Sequence, residues 1–381
     1  MNLENKSIVF IPPNGEILRQ DFALYRIINY FTQIGVETTL LIVNDIQQTL
    51  LYNTKIKKLK NKEEILTHLY NNKYDLIFHR SWMHRYPFAA LLAKKFNNVI
   101  SYIKDWHDIS KDEYEFAYDT VDDIDAIRDI FVHSKLVLSH YSKGYTNRLA
   151  VKYNITNKKF IFFPEYSLVE NFYVKKNINY SNENNCLLMA GGGVHTSVPN
   201  NIIPGKSLFN MMISISLQKI NINMVIVEKS YNRIHSNRKM YLDYLYEDKF
   251  NKYFNIKKGS ELDKSIGKDY SFGMFTDSIF PRNAKYLHAE EYAVTSKFAF
   301  YLECGLPVLV NKRFKTLSRI VKKNDIGIVF SDDDLNEFKK VLNIRNKRYK
   351  RLVHNVYKFR EKFTYNKKTI KPLLDIVKKE K

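Results

Sequence analysis

The sequence predicts an α/β chain of two domains, each a parallel sheet covered by helices. Three observations predict it. Short apolar runs rich in β-branched residues alternate with stretches of helical periodicity. Those runs are apolar throughout, as strands buried on both faces are. The pattern also begins twice, with a polar stretch rich in Asn, Lys and Ser, residues 171–185, between the two starts.

In the first half, Ser7–Ile11 reads as a buried strand broken by Pro12-Pro13-Asn14-Gly15. From 16 to 34 apolar residues recur at Leu18, Phe22, Tyr25, Ile28 and Phe31, a helical spacing that Gly35 ends. Residues 36–43 are the next strand, so strand, helix and strand form a βαβ unit. A Lys-rich stretch read as helical leads to strands at 74–78, 99–103 and 136–139. A helix at 143–153 and a strand at 159–163 follow, and Pro164 closes this half.

The second half restarts with a strand at 186–190, the turn Gly191-Gly192-Gly193, a helix at 207–218 and a strand at 222–227. Strands at 270–275, 306–310 and 326–330 alternate with helices at 296–303 and 316–321. Asp332 to Asp334 suit a helix start. The basic tail reads as helical. The expected domains are 1–170, 180–345 and a tail, 346–381, packing back on the first.

The chain has 381 residues, which suits two domains of roughly 100–200 each. A net charge of +21 attracts polyanions such as nucleic acid, phosphorylated substrates or an anionic membrane surface. It also fits plain solvated lysine surface. Without an RNA-binding, zinc-finger or basic-zipper pattern, specific nucleic-acid recognition is not expected. Cys186 and Cys304 have no metal-ligand spacing and make no disulfide framework, which suits a reducing cytoplasm. A polar start and the absence of a run of roughly 18 apolar residues exclude a signal core and a span. Membrane contact is then expected only as peripheral binding to the inner leaflet.

Open α/β sheets bind ligands at the carboxyl ends of their strands. This singles out residues 12–15, 79–81, 104–108, 191–193 and 276–278. Gly191 and Gly192 would let backbone amides approach a phosphate, or make only a tight turn. They do not form a dinucleotide fingerprint: Thr196 stands where its third glycine belongs, and Glu228 comes late for the acid. His79 and Arg80 end a strand, where a buried, satisfied histidine is the expected outcome.

The most specific stretch, 296–310, joins Lys297, Tyr301 and Leu302 to Gly305-Leu306-Pro307 and a buried strand. It resembles the donor-binding element of glycosyltransferases with the two-Rossmann (GT-B) fold. The closer resemblance is to a subgroup of bacterial galactofuranosyltransferases and glucosyltransferases that elaborate streptococcal adhesins. It is carried by Ala190-Gly191, Lys206-Ser207-Leu208-Phe209, Phe272-Gly273 through Asp277-Ser278, the Lys297 to Val308 stretch, Ile326-Gly327-Ile328 and Asp332. Phe300 replaces the ribose-binding Glu of many retaining relatives, an insertion of 193–205 precedes Lys206, and Ser278 replaces a glycine.

The resemblance implies two Rossmann-like domains facing across a cleft, and transfer of a sugar from a nucleotide donor, expected as a uridine diphosphate sugar. The acceptor is expected to be a glycan or lipid-linked glycan. No metal is needed, and the nucleotide sugar is a co-substrate rather than a cofactor. Lys206, Ser207 and Lys297, with amides near Gly191 and Gly192, would stabilise the leaving diphosphate. Asp277 would bond sugar or base. Tyr301 reads as ligand contact or core. His107-Asp108 matches a His-Asp pair of these enzymes and is the candidate base, with Asp105 equally well placed. The acidic runs Asp122-Asp123-Ile124-Asp125 and Asp332-Asp333-Asp334 read as helical surface, not metal ligands. Two other readings stay open: a basic nucleic-acid- or membrane-binding protein, and a nucleotide-sugar epimerase.

Overall fold

A computed structural model describes residues 6–16, 21–44, 51–81, 85–104, 121–155, 160–181, 186–191, 212, 214–226, 253–258, 264–275 and 289–379. These residues build two parallel sheets in two compact units. One unit holds residues 1–166, 284–294 and 365–381; the other holds 167–283 and 295–364.

The first sheet has seven strands: β1 (Ser7–Ile11), β2 (Glu37–Ile42), β3 (Lys55–Lys58), β4 (Leu76–Ser81), β5 (Val99–Ile103), β6 (Leu136–Ser139) and β7 (Phe160–Phe162). Their order is β3-β2-β1-β4-β5-β6-β7. The second has β8 (Cys186–Gly191), β9 (Asn221–Ile226), β10 (Phe254–Lys258), β11 (Phe272–Phe275), β12 (Val308–Asn311) and β13 (Gly327–Phe330). Its order is β10-β9-β8-β11-β12-β13. Counted from its own first strand, each sheet runs 3-2-1-4-5-6, with β7 added as a seventh strand in the first. The chain therefore reverses direction beside β1 and beside β8, and a ligand crevice is expected at such a reversal.

In the first unit the helices are α1 (Phe22–Gln33), α2 (Lys62–Asn71), α3 (Tyr86–Lys95), α4 (Val121–His133) and α5 (Lys143–Lys152). The helix expected from residue 16 begins at Phe22, because Asp21 caps it by accepting from Leu24 N. Gly35, with φ of +84°, ends the turn after it. Part of the Lys-rich stretch is not helix but β3, a half-exposed edge strand of sequence KIKK beside β2. Lysines on an edge discourage pairing with another chain. Val9, Ile11, Leu41, Ile77 and Leu92 pack one face of the sheet, and α4 and α5 pack with Tyr86, Tyr141 and Tyr145 near β6.

The boundary falls after Tyr166, ahead of the expected linker. Residues 167–181 are a packed part of the second unit. Glu303 accepts from Leu168 N and the Asn171 amide, each at 3.1 Å. Arg360 donates to the Tyr173 carbonyl at 2.7 Å, Lys175 to that of Tyr270, and Tyr180 to that of Leu342 at 2.6 Å. The Tyr180 ring stacks on Tyr349 at 4.7 Å.

The second unit contains α6 (Ser296–Glu303), α7 (Lys315–Asn324), α8 (Phe338–Leu342) and α9 (Asn346–Lys362). The tail is split between units. α9 buries Tyr349, Leu352 and Val353 in the second core, whereas 365–381, with α10 (Lys371–Lys379), belongs to the first unit. There Tyr365 packs on Tyr30, Phe163 and Tyr166 at 5.8, 6.1 and 5.5 Å. Residues 289–294 also belong to the first unit: Tyr292 stacks on Tyr145 at 5.1 Å, and Val294 N donates to the His140 carbonyl.

Glycine sets two close approaches in the second unit. A Cβ on Gly327 would stand 1.9 Å from the Val308 carbonyl oxygen, and one on Gly273 2.3 Å from the Tyr301 ring. Gly327→Ala is expected to destabilise by about 2 kcal/mol or more through overpacking against a ladder carbonyl, read by chemical denaturation.

Candidate functional site

At the carboxyl edge of the first sheet β4 extends past the end of β1, whose last partner is His79 for Ile11. Arg80, 2 % exposed, follows. Its Nε lies 2.7 Å from Asp21 Oδ2, and its Nη2 donates to Glu165 at 2.5 Å. The guanidinium also lies over the Tyr102 ring, 4.8 Å from its centre. One cation thus ties the start of α1, the end of β4, β5 and the segment after β7.

Burial works against charge on Glu165, but Arg80, Lys104 and His140 outweigh it and hold the carboxyl well below the ordinary range. For Asp21 burial outweighs Arg80 and Lys104, and its pKa is raised. Glu165 is therefore the firmly charged partner. Burial also pushes the Tyr102 and Tyr365 hydroxyls upward, with the Glu165 charge adding to it, so both stay protonated.

His79 is fully buried, with its ring edge-on to Phe88 at 5.8 Å. Neither ring nitrogen meets a hydrogen-bond partner among the described residues, so the expected satisfied histidine is buried but unsatisfied. Burial lowers its pKa to about 3, so it is a neutral core group and no base. The Tyr86 hydroxyl donates to the Lys104 carbonyl at 2.6 Å, fixing the chain where it enters residues 105–108. Asp105, His107 and Asp108 themselves lie outside the described residues, as do Gly192, Lys206, Ser207 and Asp277.

In the second sheet Gly191 is the last residue of β8, paired with Ile226 of β9. Lys297 is half-buried in the first turn of α6, whose cap Thr295 makes no side-chain bond to the helix. The end amides thus keep their positive dipole for a ligand. Tyr301 lies one turn further on the same helix face. It is wholly buried. Its hydroxyl accepts from Ala190 N at 2.9 Å and donates to the Met274 carbonyl at 2.8 Å. Tyr301 thus packs in the core and holds strand ends.

The acidic runs serve local structure where they are described. Asp125 pairs with Arg128 at 2.7 Å. Asp332 accepts from Asn311 and Arg313, and Asp334 from the Ser331 amide and hydroxyl. Among the described residues no three metal-ligating side chains cluster, and no helix is long and apolar enough to cross a membrane. Sequence reasoning missed Asp21 and Glu165. Asp21 carries a signal, an acid just before an apolar helical run; Glu165 follows the Pro that ends β7 and carries none.

Residues 228–376 match the family described as "Glucosyltransferase 3-like, C-terminal domain". Over the whole chain the fold matches solved glycosyltransferases. HepE of Anabaena in complex with UDP is 10% identical, with a TM-score of 0.65 over 98% of this chain and 100% of that one. A glycosyltransferase from Rickettsia africae is 11% identical, with a TM-score of 0.65 over 99% and 98%. The chain has the GT-B fold of these enzymes. A third similar structure, an α-glucosyltransferase solved with UDP and a 13-mer DNA, is 13% identical, with a TM-score of 0.63 over 98% and 99%. No curated protein sequence matches the chain. Three of the positions that carried the family resemblance, Gly273, Tyr301 and Gly327, are packing positions in it.

Two predictions follow from the first unit's interior. Arg80→Met leaves two buried carboxylates without their cation and is expected to cost about 3–5 kcal/mol by denaturation. For His79, an unfolded chain takes up a proton below its ordinary value of 6.5, whereas the folded chain does so only near 3. Stability is therefore lost as pH falls below 6.5. His79→Leu should recover about 2 kcal/mol at pH 5 relative to its effect at pH 7.5. Between these values unfolded carboxylates stay ionised, so paired urea melts isolate the histidine.

Proposed function

We propose that the chain is a glycosyltransferase that takes its sugar from a uridine diphosphate donor held by the second unit. It passes that sugar to a hydroxyl of a glycan or lipid-linked glycan. The observation that carries the donor reading is the carboxyl edge of the second sheet. There β8 and β11 flank the reversal of strand order, and the uncapped start of α6 carries Lys297 one turn beyond Tyr301. A crossover helix runs antiparallel to its strands, so its start lies at their carboxyl ends. The UDP bound to HepE in its solved complex supports the nucleotide.

The chemistry requires charge on the departing diphosphate to be stabilised. Amides at Gly191 and Gly192, with Lys206, Ser207 and Lys297, do this without a metal in the proposed mechanism. Asp277 bonds the sugar or base. The acceptor hydroxyl gives its proton to a base in residues 105–108: His107 oriented by Asp108, or Asp105. The enzyme is placed in the cytoplasm, in polysaccharide or glycolipid synthesis. Its lysine-rich surface would hold it on the anionic inner leaflet, each basic residue near that surface contributing about 1 kcal/mol.

Uridine diphosphate at about a hundred times its dissociation constant should stabilise the protein by about 2.7 kcal/mol in thermal melts, and nucleosides without phosphate should not. Lys297→Ala should weaken the diphosphate about tenfold, or about 1.4 kcal/mol, by calorimetry. No stabilisation by any nucleoside diphosphate would reject the donor reading. Isomerisation of a nucleotide sugar without transfer would make the enzyme an epimerase.

A further inference from the structure

In the second sheet β8 and β11 are neighbours only over a short ladder, which sets Phe272 against Leu187 and Gly273 against Leu188. Beyond it each strand keeps its other partner. β8 stays with β9 as far as Gly191, and β11 with β12 as far as Phe275. The two strands therefore part where the strand order reverses.

The Tyr301 hydroxyl stands in that gap, bonded to Ala190 N of β8 and the Met274 carbonyl of β11. It reaches there because Gly273 has no side chain: a Cβ would lie 2.3 Å from the ring. A hydroxyl accepts from one strand and donates to the other with a single oxygen. A phenylalanine would leave a buried amide and a buried carbonyl without partners. The group is also neutral, so it adds no charge against a bound anion.

We infer that Tyr301 is a positioning residue for donor binding. By bridging Ala190 and Met274 it sets the separation of the two strand ends, Gly191 and Phe275, which Gly192 and Asp277 follow in sequence. The inference rests on the donor site proposed above. In this role the hydroxyl acts through the two backbone groups it bonds.

The test uses the full chain, calorimetry with uridine diphosphate, and donor and acceptor kinetics. Tyr180→Phe is the control, because Tyr180 likewise gives a buried hydroxyl to a carbonyl of the same unit, that of Leu342. Tyr301→Phe should weaken uridine diphosphate and raise the donor KM by about 10- to 100-fold, with the acceptor KM unchanged. Tyr180→Phe should lower stability similarly and keep wild-type affinity. Equal affinity in the two variants would reduce Tyr301 to core packing and overturn the inference while the donor reading stands. A wild-type chain that binds no uridine diphosphate would overturn both. If Tyr301→Phe does not fold, hydrogen exchange on the wild-type chain decides. Uridine diphosphate should protect residues 186–192 and 272–278 together, and protection of one segment without the other counts against coupling through Tyr301.

Discussion

The first unit is organised around a cation that water cannot reach. A buried guanidinium is tolerable only if carboxylates follow it inside, and Arg80 draws its two from far apart in the sequence, Asp21 and Glu165. Satisfying one charge thus fixes where α1 starts, where β4 ends and how the chain leaves β7. The aromatic rings of Tyr102, Phe163 and Tyr365 close around the group; burial raises both carboxyls, but Glu165 also gains His140 and an Arg80 hydrogen bond, whereas Asp21 faces the Glu165 charge.

The second unit meets the same need at the equivalent place with a neutral group. Where β8 and β11 part, a tyrosine hydroxyl does what the ion pairs do beside β1. The difference suits the partners proposed for each unit. A fixed charge balance in the first unit faces no diphosphate in that proposal. Beside a diphosphate, buried carboxylates would oppose the ligand, and a hydroxyl leaves the field to lysines and helix-end amides.

The strands were legible because they are short apolar runs, and their restart after the polar stretch exposed the two sheets. Edge strands hid for a physical reason. β3 buries little and its lysines read as surface, and β10 is Phe254 amid Asn and Lys. The start of α1 was misplaced because periodicity alone does not see Asp21 as a cap. Residues 171–185 look like solvent-facing linker in sequence, although Lys175 and Tyr180 are buried. In the candidate site, Lys297 and Tyr301 were singled out by the resemblance that their helix and the following Gly-x-Pro turn carry. The ion triad was not, since nothing local joins positions 21, 80 and 165.

The assignment of residues 365–379 to the first unit bears on the order in which the protein can be made. A ribosome delivers β1 to β7 early, but the ring of Tyr365 that packs on Tyr30, Phe163 and Tyr166 emerges only after the entire second unit has been synthesised. Throughout translation the nascent first sheet therefore shows an uncovered aromatic surface beside its buried arginine. A premature stop near codon 364 would leave Tyr30, Phe163 and Tyr166 without that cover.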